Sequence, residues 1–301
     1  LEFKLPYGLR DNELFTIDQV ERGLACDCVC PACKKQLIAR KGEINAYHFA
    51  HYKSEDCLSG LETALHKLSK EIISTSKIFK TPILNYPNTH YIIFDETEIT
   101  IENVRLETKI GEFIPDIIIE TKGKKLLIEI VVSNAVSFQK LQRIKAENLP
   151  TIEIYAKHLL ERLFTQRDFG LKDNLFLTEL VSGTKYKRWL HNPKIDIIKQ
   201  TLKDNYAELK KVKSFKTEEI GYYNYVEDCP LEKKTWKSGK NLGKPYASID
   251  YDCNSCDFCV YIDHKQIPHK RIDNYEYSIP QVVYCLGYLK NNLHQLIKEL
   301  K

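Results

Sequence analysis

The 301-residue chain contains no methionine and only two tryptophans, and it does not open on an initiator residue, so its motifs are read on their internal spacings. No apolar run approaches the roughly 20 residues that a membrane-spanning helix needs. The first residues lack the basic start, apolar stretch and small-residue cleavage site of a secretory signal, which makes a cytoplasmic location the expectation. A strong charge of one sign is also missing. The formal net charge is +4, so contact with nucleic acid requires a local patch rather than a global field. No internal repeat is visible. Hydrophobic residues at 43% and charged residues at 29% exclude a disordered chain and fit a globular protein of one to three domains.

Ten cysteines, by contrast, are many for a chain expected in a reducing compartment, where they act as metal ligands or buried thiols. They fall into two groups with none between. The first group runs from Cys26 to Cys57 and the second from Cys229 to Cys285. Cys30-Pro-Ala-Cys33 makes a knuckle that aims two sulfurs at one point, as tetrahedral zinc requires. Two further ligands come from His48, His51 and Cys57, and spacing alone does not choose among them. Cys26 and Cys28 are left to pack. The second group offers Cys229, Cys253, Cys256, Cys259 and Cys285, one thiol more than a single zinc takes. Cys229, Cys253, Cys256 and Cys285 are the preferred set, with a Cys256–Cys259 knuckle as the rival. Two structural zinc ions around a cysteine-free centre are therefore expected.

Within that centre, Leu61, Leu65, Leu68 and Ile72 repeat at helical spacing over Leu61 to Lys77. Ser59 with Glu62 three places on has the form of a capping box. Short β-type runs follow at Tyr91–Phe94, Ile99–Ile101 and Thr151–Tyr155, with a helix over Val136–Asn148 before the last. Residues 158 to 216 read as lysine-rich and mostly helical. An amphipathic helix over Tyr288–Leu300 closes the chain. Helix, antiparallel strands, helix and strand make an α/β order with a mixed sheet.

The segment from Glu112 to Val132 carries the chemistry. Two apolar runs flank a Lys-Gly-Lys turn, the pattern of a β-hairpin. Asp116 enters its first strand and Glu129 lies inside its second. A carboxylate within an Ile/Leu/Val strand is costly to desolvate unless something pairs with it. Two carboxylates at facing ends of one hairpin can share a hard cation such as Mg²⁺ or Mn²⁺. Such an ion activates water for attack on a phosphodiester. A Pro-Asp, a hairpin and an acid in an apolar strand form the core layout of the PD-(D/E)XK nucleases. The lysine usual two places after the second acid is replaced here by Val131. Lys140, on the helix that follows, is the best substitute. Glu62 and Glu107 are additional acids for the same site.

Taken together, these residues resemble the competence protein CoiA-like family of PD-(D/E)XK nucleases. The similarity rests on Gly23-Leu-Ala-Cys26, Cys30-Pro-Ala-Cys33, Leu37-Ile-Ala-Arg-Lys-Gly42, His48-Phe-Ala-His51 and Cys57. It continues through Glu62-Thr-Ala-Leu-His66 with Lys70, Pro115-Asp116-Ile117 and Ile128-Glu-Ile-Val-Val-Ser133, and it covers about residues 6 to 156. Asn134 departs from the pattern, which leads one to expect histidine there. The resemblance implies an active site of Glu62, Asp116, Glu129 and Lys140, and it makes His66 and Lys70 candidates for phosphate contact. Lys187 and Arg188, within Lys185-Tyr-Lys-Arg-Trp189, mix cations with aromatics and are weaker candidates for DNA contact.

The resulting expectation is an α/β protein with a PD-(D/E)XK, restriction-endonuclease-like core and mixed sheet, flanked by small zinc-binding modules. Its divisions are residues 1–58 (zinc module), 59–158 (nuclease core), 159–221 (basic helical region) and 222–301 (cysteine-rich zinc module). Its expected activity is Mg²⁺-dependent hydrolysis of DNA. RNA stays open as a substrate, and a protein partner could engage a zinc module. The alternative is a degenerate, non-catalytic zinc adaptor that binds nucleic acid or protein.

Overall fold

The structure is a computed structural model that describes residues 5–42, 47–55, 57, 59–164, 173–217, 221–268 and 276–301. It divides into two compact units, one of Leu1–Ile83 with Glu96–Asn192 and one of Leu84–Asp95 with Pro193–Lys301. Among the described residues no helix is long and apolar enough to cross a membrane.

The first unit opens with a hairpin of β1 (Tyr7–Arg10) and β2 (Glu13–Thr16), followed by the paired strands β3 (Leu37–Arg40) and β4 (His48–His51). These strands enclose a small core of Ile17, Cys26, Cys28, Cys30, Leu37 and Phe49. Next comes α1 (Gly60–Thr75), then β5 (Ile78–Thr81). The chain makes an excursion through β6 (Leu84–Asn85) and β7 (Ile92–Phe94) and returns as β8 (Thr97–Thr100), which pairs with β5.

The main sheet is built from β9 (Asn103–Leu106), β10 (Ile117–Thr121), β11 (Lys124–Val131), β12 (Thr151–Tyr155) and β13 (Lys187–His191). Its strand order is β13-β12-β11-β10-β9, so sequence order and spatial order run together. Only β11 and β12 are parallel, because α2 (Phe138–Glu147) carries the chain back between them. The hairpin of β10 and β11 turns through Lys122 (φ 48°) and Gly123 (φ 71°). Two positive φ angles in a two-residue loop match the twist of the strands, and glycine takes the second without strain.

Alternation along the strands sorts the core. Ile117, Ile119, Ile128, Ile130, Ile152 and Ile154 face a cluster that α1, α3 (Ala156–Phe164) and α4 (Asp173–Val181) complete. On the other face, Ile118 and Leu127 pack with Phe113 and with Ile144 of α2. Helix α2 starts where the Ser137 side chain accepts a hydrogen bond from the Lys140 amide (3.2 Å), and it ends at Asn148 in a left-handed cap.

The second unit contains α5 (Pro193–Asn205), β14 (Glu208–Lys211), β15 (Lys213–Thr217), β16 (Gly221–Glu227), β17 (Lys234–Thr235), β18 (Pro245–Ser248), β19 (Cys259–Pro268), β20 (Glu276–Cys285) and α6 (Leu293–Glu299). It has a three-stranded sheet, β14-β20-β19, and a four-stranded sheet, β15-β16-β18-β17. Their shared core includes Val226, Ala247, Ile249 and Val283, with Cys229, Cys253, Cys259 and Cys285.

Several expectations from the sequence need correction. The stretch 158–216 is mostly helical among its described residues, through α3, α4 and α5, but it also holds β13, β14 and most of β15, strands that were not expected there. The boundary expected after residue 158 falls inside α3, and the first compact unit runs on to Asn192. The last helix begins at Leu293 rather than Tyr288. Ser59 does not cap α1: its backbone is already helical and its hydroxyl lies 3.2 Å from Cys57 Sγ.

Candidate metal-binding and active sites

Three thiols meet beside the start of α1. The sulfurs of Cys30, Cys33 and Cys57 lie within 4.8 Å of one another, so the group could hold a metal ion such as zinc. His51 Nε2 is 3.2 Å from Cys33 Sγ. His48, the other candidate, is buried at the opposite end of β4. Gly60 makes the close approach possible, since a Cβ there would sit 3.1 Å from Cys30 Sγ. Cys26 and Cys28 are fully buried and point their thiols at the carbonyls of Leu37 and Cys26, so they pack rather than bind.

A second convergence lies where the hairpin of β10 and β11 opens. The ladder pairs Ile117 with Ile128, and Asp116 then leaves it. Asp116 Oδ2 accepts the Ile130 N–H at 2.8 Å, so its side chain takes over where the ladder stops. Asp116 Oδ1 faces α1, with Lys70 Nζ at 3.0 Å and His66 Nδ1 at 3.6 Å. Lys70 also donates to Glu107 Oε1 at 2.8 Å. Burial alone would raise the Asp116 pKa, but His66, the Ile130 amide and the Lys70 ammonium together hold it well below the usual carboxylate range. Burial likewise opposes a charge on Lys70, and Glu107 and Asp116 outweigh it, so its pKa rises.

Glu129 sits one strand over and is only 3% exposed. Lys140 Nζ, reaching back from the first turn of α2, donates to Glu129 Oε2 at 2.6 Å. Burial pushes the Glu129 carboxyl up to about 7, against the pull of Lys140. Its other oxygen, Oε1, is buried with no hydrogen-bond partner among the described residues. Val131 is buried in the position where the pattern has lysine, while Lys140 brings an ammonium to the same carboxylate from the neighbouring helix. Glu62, freed from capping, accepts a hydrogen bond from Ser133 Oγ at 3.2 Å, just beyond the end of β11. An open groove of about 820 Å³ runs along α1, with Glu62, His66, Lys70 and Glu107 in its wall.

Lys187 and Arg188 do not belong to this site. Lys187 is buried, its ammonium held by the carbonyls of Lys80 and Val181 (2.7 Å each) and lying over the Phe79 ring. Burial and the Lys80 charge bring its pKa down to about 7. Arg188 is accessible but bound to Glu153 through Nε at 2.6 Å. Glu153 was the residue without an assigned role. It is fully buried, registers with Glu129 across the parallel pair, accepts from Tyr155 as well as Arg188, and leaves Oε2 without a partner among the described residues. A signal for it existed: Ile152-Glu-Ile154 repeats Ile128-Glu-Ile130.

In the second unit, Cys229, Cys253, Cys256, Cys259 and Cys285 all line one cavity of about 20 Å³. Cys259 is therefore not set apart from the others. Burial raises the pKa of the Cys285 thiol, and the Gly287 amide, which donates to its Sγ at 3.3 Å, opposes that rise only in part.

The chain thus joins a cysteine module able to bind metal to a mixed α/β domain bearing paired, buried carboxylates. Residues 17–60, which include all three clustered thiols, match the family model described as competence protein CoiA, N-terminal domain. No curated protein and no solved structure matches the chain.

Proposed function

We propose that the first unit is a PD-(D/E)XK-type core and that the protein is a divalent-metal-dependent deoxyribonuclease. The observation that carries this reading is the meeting of Asp116 and Glu129 at the open end of the hairpin, with Lys140 delivered to Glu129 from α2. The donor set suits a hard cation, because Glu129 keeps a buried oxygen with no partner among the described residues and Asp116 is held ionised. Asp116 and Glu129 would hold Mg²⁺ or Mn²⁺, which when bound stabilises charge on the phosphate and lowers the pKa of a water. Lys140 contributes the ammonium that Val131 cannot, offsetting negative charge beside Glu129. Glu62 accepts a hydrogen bond and is placed to orient water. His66 and Lys70 offer a donor and a positive charge to a phosphate lying in the α1 groove.

Zinc in this reading is structural. Cys30, Cys33, Cys57 and His51 hold one ion, and four of the five thiols of the second unit hold another, with no open position for chemistry. The test is cleavage of DNA with and without added Mg²⁺ or Mn²⁺, by wild type and by Asp116→Ala. Metal-dependent cleavage lost in the variant is the expected result. Identical products from both proteins would sink the nuclease reading and leave a binding adaptor.

A further inference from the structure

We propose that the open face of the four-stranded sheet in the second unit is a base-stacking platform for single-stranded DNA. The choice of DNA as the polynucleotide rests on the nuclease reading above, while the platform itself rests on separate observations.

The register of β15 against β16 pairs Phe215 with Tyr223 and Lys213 with Tyr225, which puts these side chains on one face. β18 adds Tyr246 to that face, opposite Glu227 and Lys234. The other face carries Val226 and Ala247 into the cysteine-lined core, so the aromatic face points outward. Its rings form one continuous array. Phe215 lies 5.2 Å from Tyr223, Tyr225 lies 5.3 Å from Trp236, and Trp236 stacks on Tyr246 at 4.3 Å. Phe215 is 41% exposed, and the other four rings are half-buried. Aromatic side chains in a row on a sheet offer π-faces to successive bases without regard to sequence.

Cations adjoin the rings. Residues 233–244 hold five lysines and no acidic residue. Lys237, Lys240 and Lys244 are exposed and make no ion pair among the described residues. They lie on the loop between Trp236 and Tyr246, whose ends are closed by the Trp236 N–H to Lys244 carbonyl bond (3.1 Å) and the Gly243 N–H to Trp236 carbonyl bond (2.9 Å). Stacking surface flanked by unpaired ammonium groups matches a polymer of bases and phosphates. An acidic peptide would use the lysines but not the ring array.

The test uses the full chain without added Mg²⁺, so that binding is read apart from cleavage. A Trp189→Phe background leaves Trp236 as the sole tryptophan. Oligothymidylate is expected to quench its emission, and oligouridylate or duplex DNA to do so more weakly. In the wild-type background, anisotropy with labelled oligothymidylate is expected to show at least about a fivefold loss of affinity for Phe215→Ala. The combined Lys237→Ala, Lys240→Ala, Lys244→Ala variant, confined to an exposed loop, is expected to flatten the salt dependence by about 2 in log–log slope. Affinity untouched by both variants, or no quenching, overturns the platform. Equal or tighter binding of duplex overturns base stacking, and preference for oligouridylate overturns DNA as the occupant. A protein that binds in this way but cleaves nothing fails the nuclease reading alone.

Discussion

Replacing Glu129 with glutamine should make the first unit more stable at neutral and alkaline pH while abolishing the proposed cleavage. The carboxyl is buried, and its pKa rises from an ordinary 4.5 to about 7 in the fold. Between those values the native state binds more protons than the unfolded chain, so stability falls as pH rises through this window. The difference corresponds to about 3 kcal/mol once pH exceeds 7. Lys140 already reduces this cost, and with glutamine in place its half-exposed ammonium can turn to water. For a unit of this size about 3 kcal/mol is about 6–12 °C in melting temperature. The measurement is thermal unfolding followed by Trp189, a residue of β13, in a Trp236→Phe background. Wild type and Glu129→Gln should melt together at about pH 4 and separate at about pH 8, with the variant higher. Added Mg²⁺ or Mn²⁺ should raise wild type at the higher pH and leave the variant unmoved. A variant that melts below wild type at about pH 8, or that is equally displaced at both pH values, would refute the argument that burial of this charge is unfavourable.

Lys140→Ala should slow cleavage about 10²- to 10³-fold, as removal of a single charge-stabilising donor does in other sites, with partial recovery in Lys140→Arg. Elemental analysis of the purified chain should give about two zinc ions, with about one lost in Cys33→Ser and the other in Cys285→Ser. Lys187→Ala should lower stability by about 2–4 kcal/mol, because it strands the carbonyls of Lys80 and Val181, and should leave oligonucleotide affinity unchanged in fluorescence titrations.

The legible parts of the molecule were those whose signal is local. The Lys122-Gly123 turn, the apolar runs of β10 and β11, the helix carrying Leu65 and Ile72, and the strand Thr151–Tyr155 each declare themselves within a few residues. The Lys185–Trp189 segment misled for an instructive reason. Cations between aromatics look like a surface patch, but the same alternation fits a strand whose Lys187 is buried against backbone carbonyls. The second tryptophan and its lysines, at Trp236 to Lys244, carried no periodic signal, because their proximity to Phe215 and Tyr223 depends on strand pairing.

By itself the sequence determined which residue types were available for chemistry: clustered thiols at knuckle spacing, and carboxylates set into apolar strands where an unpaired charge is costly. Tertiary structure alone decided their partners. It set His51 rather than His48 beside the Cys30, Cys33 and Cys57 thiols, brought Lys140 to Glu129, and placed Glu153 next to that carboxylate across a parallel pair. Each of these choices joins residues distant in sequence, and the burial of one element against another, not spacing along the chain, fixes which side chains meet.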